Sequence, residues 1–126
     1  MKNNNSNNIL YSIKLVPAII YPNADTDKFI IYAENINKSG VYKWVNKING
    51  KSYVGSSLSL GNRFNDYYYL SSLTRKVKGS IIIYRALLKY GYKNFSFDIL
   101  EYCEPSQLIK REQYYIHHLK PEYNIL

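Results

Sequence analysis

Residues 40–57 read GVYKWVNKINGKSYVGSS, and this segment predicts a β-hairpin. Val41 to Val45 is rich in β-branched and aromatic residues, and Lys51 to Ser56 continues the pattern. Asn49-Gly50 lies between the two runs and is a residue pair that favours a two-residue turn with positive φ. The segment therefore predicts two antiparallel strands.

The hairpin places its aromatic residues on defined faces, because side chains alternate along a strand. Tyr42 and Trp44 are expected on one face of the first strand. Tyr53 and Gly55 are expected on one face of the second.

Downstream of the hairpin, apolar periodicity and capping residues predict three helices and one further strand. The order is ββ-α-α-β-α, which indicates a small α+β domain with an antiparallel sheet. The predicted elements are a helix from Ser57 or Ser59 to about Leu70, a helix from Ser80 to Tyr90 ended by Gly91 in the left-handed conformation, a strand from Asn94 to Tyr102, and a helix that Pro105 opens and Pro121 ends.

Upstream of the hairpin, residues 1–38 differ from the rest of the chain. They begin with the Asn-rich run 3–8 and carry four Lys and three acidic residues, a net charge of +1. We expect a partly disordered N-terminal arm over 1–38, with a possible short helix at 25–36, followed by one domain over 39–126.

The composition indicates a binding partner. The chain has 126 residues and is 46% hydrophobic, enough for one domain with a core, and its net charge is +8. Residues 39–126 carry 13 basic and 6 acidic side chains, a net charge of +7. This balance favours nucleic acid as the partner, with a membrane surface as the second candidate. The single cysteine, Cys103, excludes an internal disulfide and a cysteine-based zinc site.

The most abundant residue types are Tyr (15), Ile (15), Asn (14) and Lys (13), whose codons are mostly A/T-rich. This bias favours an organelle, a phage or a low-GC bacterium as the source. The sequence carries neither a run of about 20 apolar residues, as a membrane span needs, nor a recognisable targeting segment.

Two charged residues interrupt predicted apolar helix stripes. Glu112 lies four residues from both Leu108 and Ile116, and Arg63 lies beside Phe64 in the first helix. A buried lone charge is costly, so each needs a partner. One possibility is structural: Arg63 and Glu112 form an ion pair, or their side chains extend until the charged ends are in water. The other is functional: they line a cleft in which Glu112 binds a metal and Arg63 binds a phosphate. A basic loop of Arg75, Lys76 and Lys78 is expected to contact DNA phosphates.

These residues resemble the GIY-YIG nuclease family, in particular its intron-encoded homing endonucleases from fungal mitochondria and phages. The resemblance rests on Gly40-Val41-Tyr42, ten intervening residues and Tyr53-Val54-Gly55, followed in order by Arg63, Glu112 and Asn124. The phrases YRALLKYG (84–91) and LKPEYN (119–124) are similar to the mitochondrial subgroup. The resemblance covers residues 39–126 and favours a mitochondrial, organelle-encoded protein, with a phage or the bacterial cytoplasm as the alternative.

The resemblance implies a three-stranded antiparallel sheet flanked by helices. It also implies hydrolysis of DNA phosphodiester bonds with one divalent metal ion, Mg²⁺ in most members, and no small-molecule cofactor. Carried over by position, Tyr42, Tyr53, Arg63 and Asn124 match catalytic residues, Glu112 matches the metal-binding carboxylate, and Gly40 and Gly55 match the motif glycines. Tyr67 stands where many members have a histidine, and is expected to act as a proton carrier or as a hydrogen-bond donor to the phosphate.

The implied chemistry suits these residue types. A bidentate guanidinium stabilises charge on phosphate oxygens, and one carboxylate with water and phosphate suits Mg²⁺. A free tyrosine has a pKa of about 10, so a phenolate base needs a nearby cation; we favour Tyr53 as the base, with Tyr42 binding the water. Homing enzymes normally continue into a separate DNA-reading region, whereas this chain stops at Leu126, so we expect low sequence specificity. We also favour a monomer. The alternative is a catalytically degenerate DNA-binding remnant.

Overall fold

The computed structural model of the chain describes residues 16–69 and 81–124. They form an α+β fold with helices on both faces of one antiparallel sheet. The elements are β1 (Ile19–Tyr21), α1 (Lys28–Asn35), β2 (Gly40–Asn46), β3 (Ser52–Ser57), α2 (Leu60–Tyr68), α3 (Ile81–Tyr90), β4 (Phe95–Tyr102) and α4 (Leu108–Leu119), with 3₁₀ turns at Tyr92–Asn94 and Pro105–Gln107.

The sheet has the strand order β1-β4-β2-β3, so the described part of the chain builds four strands and the expectation of three is wrong. The additional strand comes from the predicted arm: β1 pairs antiparallel with β4, with Ile19 opposite Ile99. The amide of Ala24 extends the contact by donating to the carbonyl of Phe95 at 3.0 Å. The arm predicted over 1–38 thus contributes a strand as well as helix α1. Its first 15 residues, on which the prediction of partial disorder also falls, lie outside the described residues.

The hairpin connection is longer than predicted. Asn46 donates its amide to the carbonyl of Lys51 at 2.8 Å, which leaves four residues in the loop rather than two. The side chains of Asn46 and Asn49 accept hydrogen bonds from the amides two residues ahead, at 2.9 Å each. These local bonds compete with a tight turn. Gly50 still has the expected positive φ, +77°.

Two predicted helix boundaries also differ. Pro105 begins a 3₁₀ turn, and the α-helix starts only at Leu108. Gly91 follows α3 with φ +86° and ψ 143°, so its φ is positive but its conformation is not left-handed helical. At the start of α2 the cap is Ser59, whose hydroxyl accepts a hydrogen bond from the amide of Asn62 at 3.2 Å.

The core on one face of the sheet is aromatic and centres on Trp44, which is fully buried. Its ring stacks on Phe64 with centroids 5.6 Å apart and meets Phe97 edge-on at 4.9 Å. Apolar side chains of α1, α2 and α3 complete this core. On the opposite face, α4 packs Tyr115 and Ile116 on side chains of the central strands. As predicted, Tyr42 and Trp44 share one face.

Helix α1 fixes the position of α2 through a close helix contact at Gly61. A Cβ atom there would lie 2.7 Å from the carbonyl oxygen of Tyr32 and 2.8 Å from the Cα of Ile36. Next to it, the amide of Leu60 donates to the carbonyl of Lys38 at 2.9 Å. The segment upstream of the hairpin therefore sets the place of the helix that carries Arg63. None of the described helices is long and apolar enough to cross a bilayer.

Candidate active site

Three elements meet at the end of β3, where Ser56 contacts both helices of the candidate site. Its hydroxyl donates to Oε1 of Glu112 on α4 at 2.5 Å. Its carbonyl accepts from Nη1 of Arg63 on α2 at 3.4 Å. The sequence-predicted arginine and carboxylate are thus brought to one strand end.

Arg63 and Glu112 do not form the structural ion pair that the sequence left open. Within the described ranges, the ion pairs are Lys28 with Asp25 and Arg111 with Glu101. Arg111 holds Glu101 through both Nε and Nη2, at 2.8–3.1 Å. That pair directs the charge of Arg111 to β4 rather than to its neighbour Glu112.

Arg63 lies near a hydrogen-bonded pair of buried tyrosine hydroxyls. The hydroxyls of Tyr42 and Tyr67 are 2.8 Å apart, and both residues are fully buried. Tyr42 also hydrogen-bonds with Arg63. Burial lowers the pKa of Arg63, but Tyr42, Tyr67 and the carboxylate of Asp66 outweigh burial, so the pKa is raised and the side chain stays charged. Tyr42, itself hydrogen-bonded to Tyr67, therefore supports the guanidinium.

Burial also decides the protonation of Tyr42. Loss of solvation raises the pKa of Tyr42 above its usual range, the nearby Tyr53 raises it further, and Arg63 opposes this only in part. Tyr42 is neutral at physiological pH and has no exposed surface. The expectation that Tyr42 binds the attacking water is not favoured by this position.

Tyr53 is placed differently. It lies on β3 opposite Trp44, its ring centroid is 6.5 Å from that of Tyr42, and it is half-buried. Of the two motif tyrosines, Tyr53 is the more exposed to solvent. A residue that accepts a proton from an incoming water molecule needs such access.

The two motif glycines are required by close packing. A Cβ atom at Gly55 would overlap the Tyr42 hydroxyl and lie 2.6 Å from Cζ of its ring. A Cβ atom at Gly40 would overlap the carbonyl oxygen of Glu101 on β4. Gly55 thus allows β3 to pass directly beside the hydroxyl that holds Arg63.

Asn124 is engaged with the backbone of β3. Its Oδ1 accepts from the amide of Val54, and its Nδ2 donates to the carbonyl of the same residue, both at 2.9 Å. The amide of Tyr123 donates to the carbonyl of Ser52 at 2.9 Å. These contacts provide hydrogen-bond partners for backbone groups at the outer edge of β3, on both sides of Tyr53. Asn124 therefore helps to hold this strand in position.

The described residues contain no group of three or more His, Cys, Asp or Glu side chains that could hold a metal. A cation here would have Glu112 as its one protein carboxylate, with water and phosphate oxygens as the other ligands. This donor set fits Mg²⁺, which keeps several waters, and does not fit the closed nitrogen and sulfur sites of structural zinc.

Two positions that shape the candidate site were not predicted from the sequence. Ser56 directly follows the second motif, and Gly61 lies two residues before Arg63. Their closeness to the motif residues was the one sequence feature that pointed to them. The residues that they contact are distant in sequence and could not be identified from it. The predicted phosphate contacts Arg75, Lys76 and Lys78 lie outside the described residues.

A family model for the GIY-YIG catalytic domain matches residues 38–124. The chain is 35% identical over 66 residues to the probable intron-encoded endonuclease 1 of Neurospora crassa, covering 52% of this chain and 20% of that protein. It is 36% identical over 95 residues to the probable intron-encoded endonuclease bI1 of the same organism, covering 70% of this chain and 20% of that protein. The chain thus spans about a fifth of the length of these relatives.

The fold is similar to the solved catalytic domain of the homing endonuclease I-TevI. The TM-score is 0.58 at 32% identity, and the match covers 71% of this chain and 99% of that one. The family match begins at residue 38, so β1 and α1 lie outside it.

Proposed function

The chain belongs to the GIY-YIG nuclease family, and on that premise we propose that it is a metal-dependent DNA endonuclease that hydrolyses phosphodiester bonds. The observation that supports this most is the meeting of Arg63 and Glu112 at Ser56. A fixed cation and a carboxylate at one strand end match what hydrolysis of a phosphodiester requires.

Arg63 binds the scissile phosphate in this proposal. Its guanidinium is charged at all physiological pH values and offers several donors in one plane. Tyr42 hydrogen-bonds with it and is itself held by Tyr67, so the guanidinium needs little reorganisation when charge develops on the phosphate oxygens.

Tyr53, acting as its phenolate, accepts the proton of the attacking water and becomes a neutral phenol. It is half-buried on β3, and Asn124 holds the adjacent Val54 in place. Tyr42 and Tyr67 are fully buried and act as positioning residues for Arg63. This assigns Tyr67 a different role from the proton carrier expected from the sequence.

Glu112 would hold the divalent cation, Mg²⁺ by the preference of a single carboxylate with water and phosphate. When bound, such a cation stabilises negative charge on the phosphate and favours ionisation of bound water. The chain's own contribution is to orient the carboxylate on α4 against Ser56.

Binding to DNA rests on the basic side chains of residues 39–126, whose net charge is +7. Contacts to phosphates position a protein without reading sequence, so we propose weak sequence preference and dissociation constants of about 10⁻⁴–10⁻⁶ M. Affinity should fall linearly with salt on a log–log scale. We further propose a mitochondrial, intron-encoded origin, on the likeness to the Neurospora proteins.

A catalytically inactive DNA-binding remnant is the second candidate, because Tyr67 occupies the usual histidine position and is fully buried. Plasmid cleavage in Mg²⁺ and in EDTA separates the two. The proposed nuclease cuts supercoiled plasmid at many positions only with Mg²⁺. Binding without any cleavage would favour the remnant, and one dominant cut site would refute low specificity.

A further inference from the structure

Ser56 contacts both halves of the candidate site. Its side chain contacts Glu112 at 2.5 Å, and its backbone contacts Arg63 at 3.4 Å. These partners lie on α4 and α2, on opposite sides of the sheet. A single strand residue therefore couples the position of the carboxylate to that of the guanidinium.

The strand holds Ser56 firmly enough for this task. Ser56 pairs with Val41 of β2, and Val41 pairs on its other side with Glu101 of β4. Because side chains alternate, Ser56 lies on the same face as Val54, on which Tyr115 and Ile116 of α4 pack. The hydroxyl thus faces the helix that carries Glu112.

We propose that Ser56 is a positioning residue that orients the Glu112 carboxylate for the divalent cation, an inference that rests on the proposed function. The hydroxyl donates to Oε1, and Oε2 would remain available to hold the cation. A hydrogen bond to a carboxylate is charge-assisted and therefore short and directional. Partners of this kind fix ligand geometry, and their loss typically lowers metal affinity or activity by about 10–100-fold.

The neighbouring serines have other roles, which makes the assignment specific. The hydroxyl of Ser57 donates to the carbonyl of Ser59 at 2.9 Å and accepts from its amide at 3.1 Å, a local turn before α2. Ser52, on the same strand and face as Ser56, contacts the chain end through its backbone. Ser52→Ala is therefore a matched control.

The test measures Mn²⁺ binding by electron paramagnetic resonance on the full chain in complex with a cleavage-resistant phosphorothioate duplex. We expect Ser56→Ala to weaken Mn²⁺ affinity by about 10–100-fold and to raise the Mg²⁺ concentration that gives half-maximal single-turnover cleavage. Ser56→Thr keeps the hydroxyl, and threonine is favoured in strands. Its Mn²⁺ affinity should therefore lie within about threefold of the wild-type affinity, a small change beside the loss of about 10–100-fold expected for Ser56→Ala. Ser52→Ala should match the wild type.

The outcomes separate the two levels of the proposal. If Ser56→Ala binds Mn²⁺ like the wild type, or if it lowers only the melting temperature, the inference about Ser56 is wrong while the nuclease proposal stands. If the wild type binds no Mn²⁺, or if Glu112→Ala binds it equally well, the metal assignment fails and the role of Ser56 fails with it.

Discussion

Replacing Gly55 by alanine should displace Tyr42 and with it the support of Arg63. A new Cβ atom would overlap the Tyr42 hydroxyl and lie 2.6 Å from Cζ. Carbon atoms in contact prefer about 3.5–4.0 Å, so the ring must move by about 1 Å. Tyr42 has little freedom to move, because it is fully buried and stacks on Phe97 with centroids 5.4 Å apart.

The expected cost has two parts. Overpacking of a buried site costs about 1–3 kcal/mol. Breaking the 2.8 Å hydrogen bond between Tyr42 and Tyr67 adds about 1 kcal/mol. We therefore expect Gly55→Ala to lower the free energy of unfolding by about 2–4 kcal/mol, a large share of the ~5–15 kcal/mol of a typical domain.

Urea unfolding followed by tryptophan fluorescence measures this, since Trp44 is the single tryptophan and is fully buried. Ser52→Ala on the same strand should change the free energy by less than about 0.5 kcal/mol. In the double variant Gly55→Ala/Tyr42→Ala, the new Cβ atom no longer clashes with a tyrosine ring. The double variant should therefore lose less free energy of unfolding than the sum of the two single variants, by about 1 kcal/mol or more. A Gly55→Ala protein as stable as the wild type, or strict additivity, would refute the packing argument.

The other expectations concern α2 and the sheet. Gly61→Ala should lower the free energy of unfolding by about 1–3 kcal/mol, because a Cβ atom 2.7 Å from the Tyr32 carbonyl displaces α1 from α2. It should also slow cleavage by more than the smaller fraction of folded protein explains. Denaturation measures the first effect and single-turnover cleavage the second. Arg63→Lys should fail in single-turnover cleavage almost as badly as Arg63→Ala, since an ammonium cannot reproduce the planar donors; a lysine variant within about threefold of the wild type would indicate charge neutralisation alone. Burial raises the pKa of Asp98, whose Oδ1 has no hydrogen-bond partner among the described residues. Asp98 then contributes stability that is fully present below its unfolded pKa of about 3.9 and is lost as the pH rises through the raised folded value. Asp98→Asn should therefore be more stable than the wild type at neutral pH, with the gain vanishing in acid. Urea unfolding across pH would show a constant or absent difference if this is wrong.

Local patterns were sufficient to predict the hairpin and the helix that carries Arg63. Alternation placed Tyr42 and Trp44 on one face, and both are buried together. The turn length was wrong because two asparagine side chains bond to nearby amides and favour a wider loop. Such competition depends on geometry that a residue pair alone does not specify.

Contacts between distant segments could not be predicted in the same way. Strand β1 has only three residues, and its partner β4 lies about 80 residues away, so periodicity gives no signal for it. The family resemblance implied that Asn124 is a polar residue of the site, but only the fold shows its amide on the Val54 backbone. The same holds for Ser56, whose partner Glu112 is 56 residues away.

The most direct test is a comparison of DNA binding and DNA cleavage by the Glu112→Ala variant. In the proposed function, binding rests on the basic surface, whereas hydrolysis needs the carboxylate that Ser56 contacts at the end of β3. Fluorescence anisotropy on a labelled duplex and single-turnover cleavage in Mg²⁺ are measured on the same preparations. We expect Glu112→Ala to bind DNA with an affinity near that of the wild type and to show no Mg²⁺-dependent cleavage. Cleavage by Glu112→Ala at the wild-type rate would contradict the assignment of the metal site.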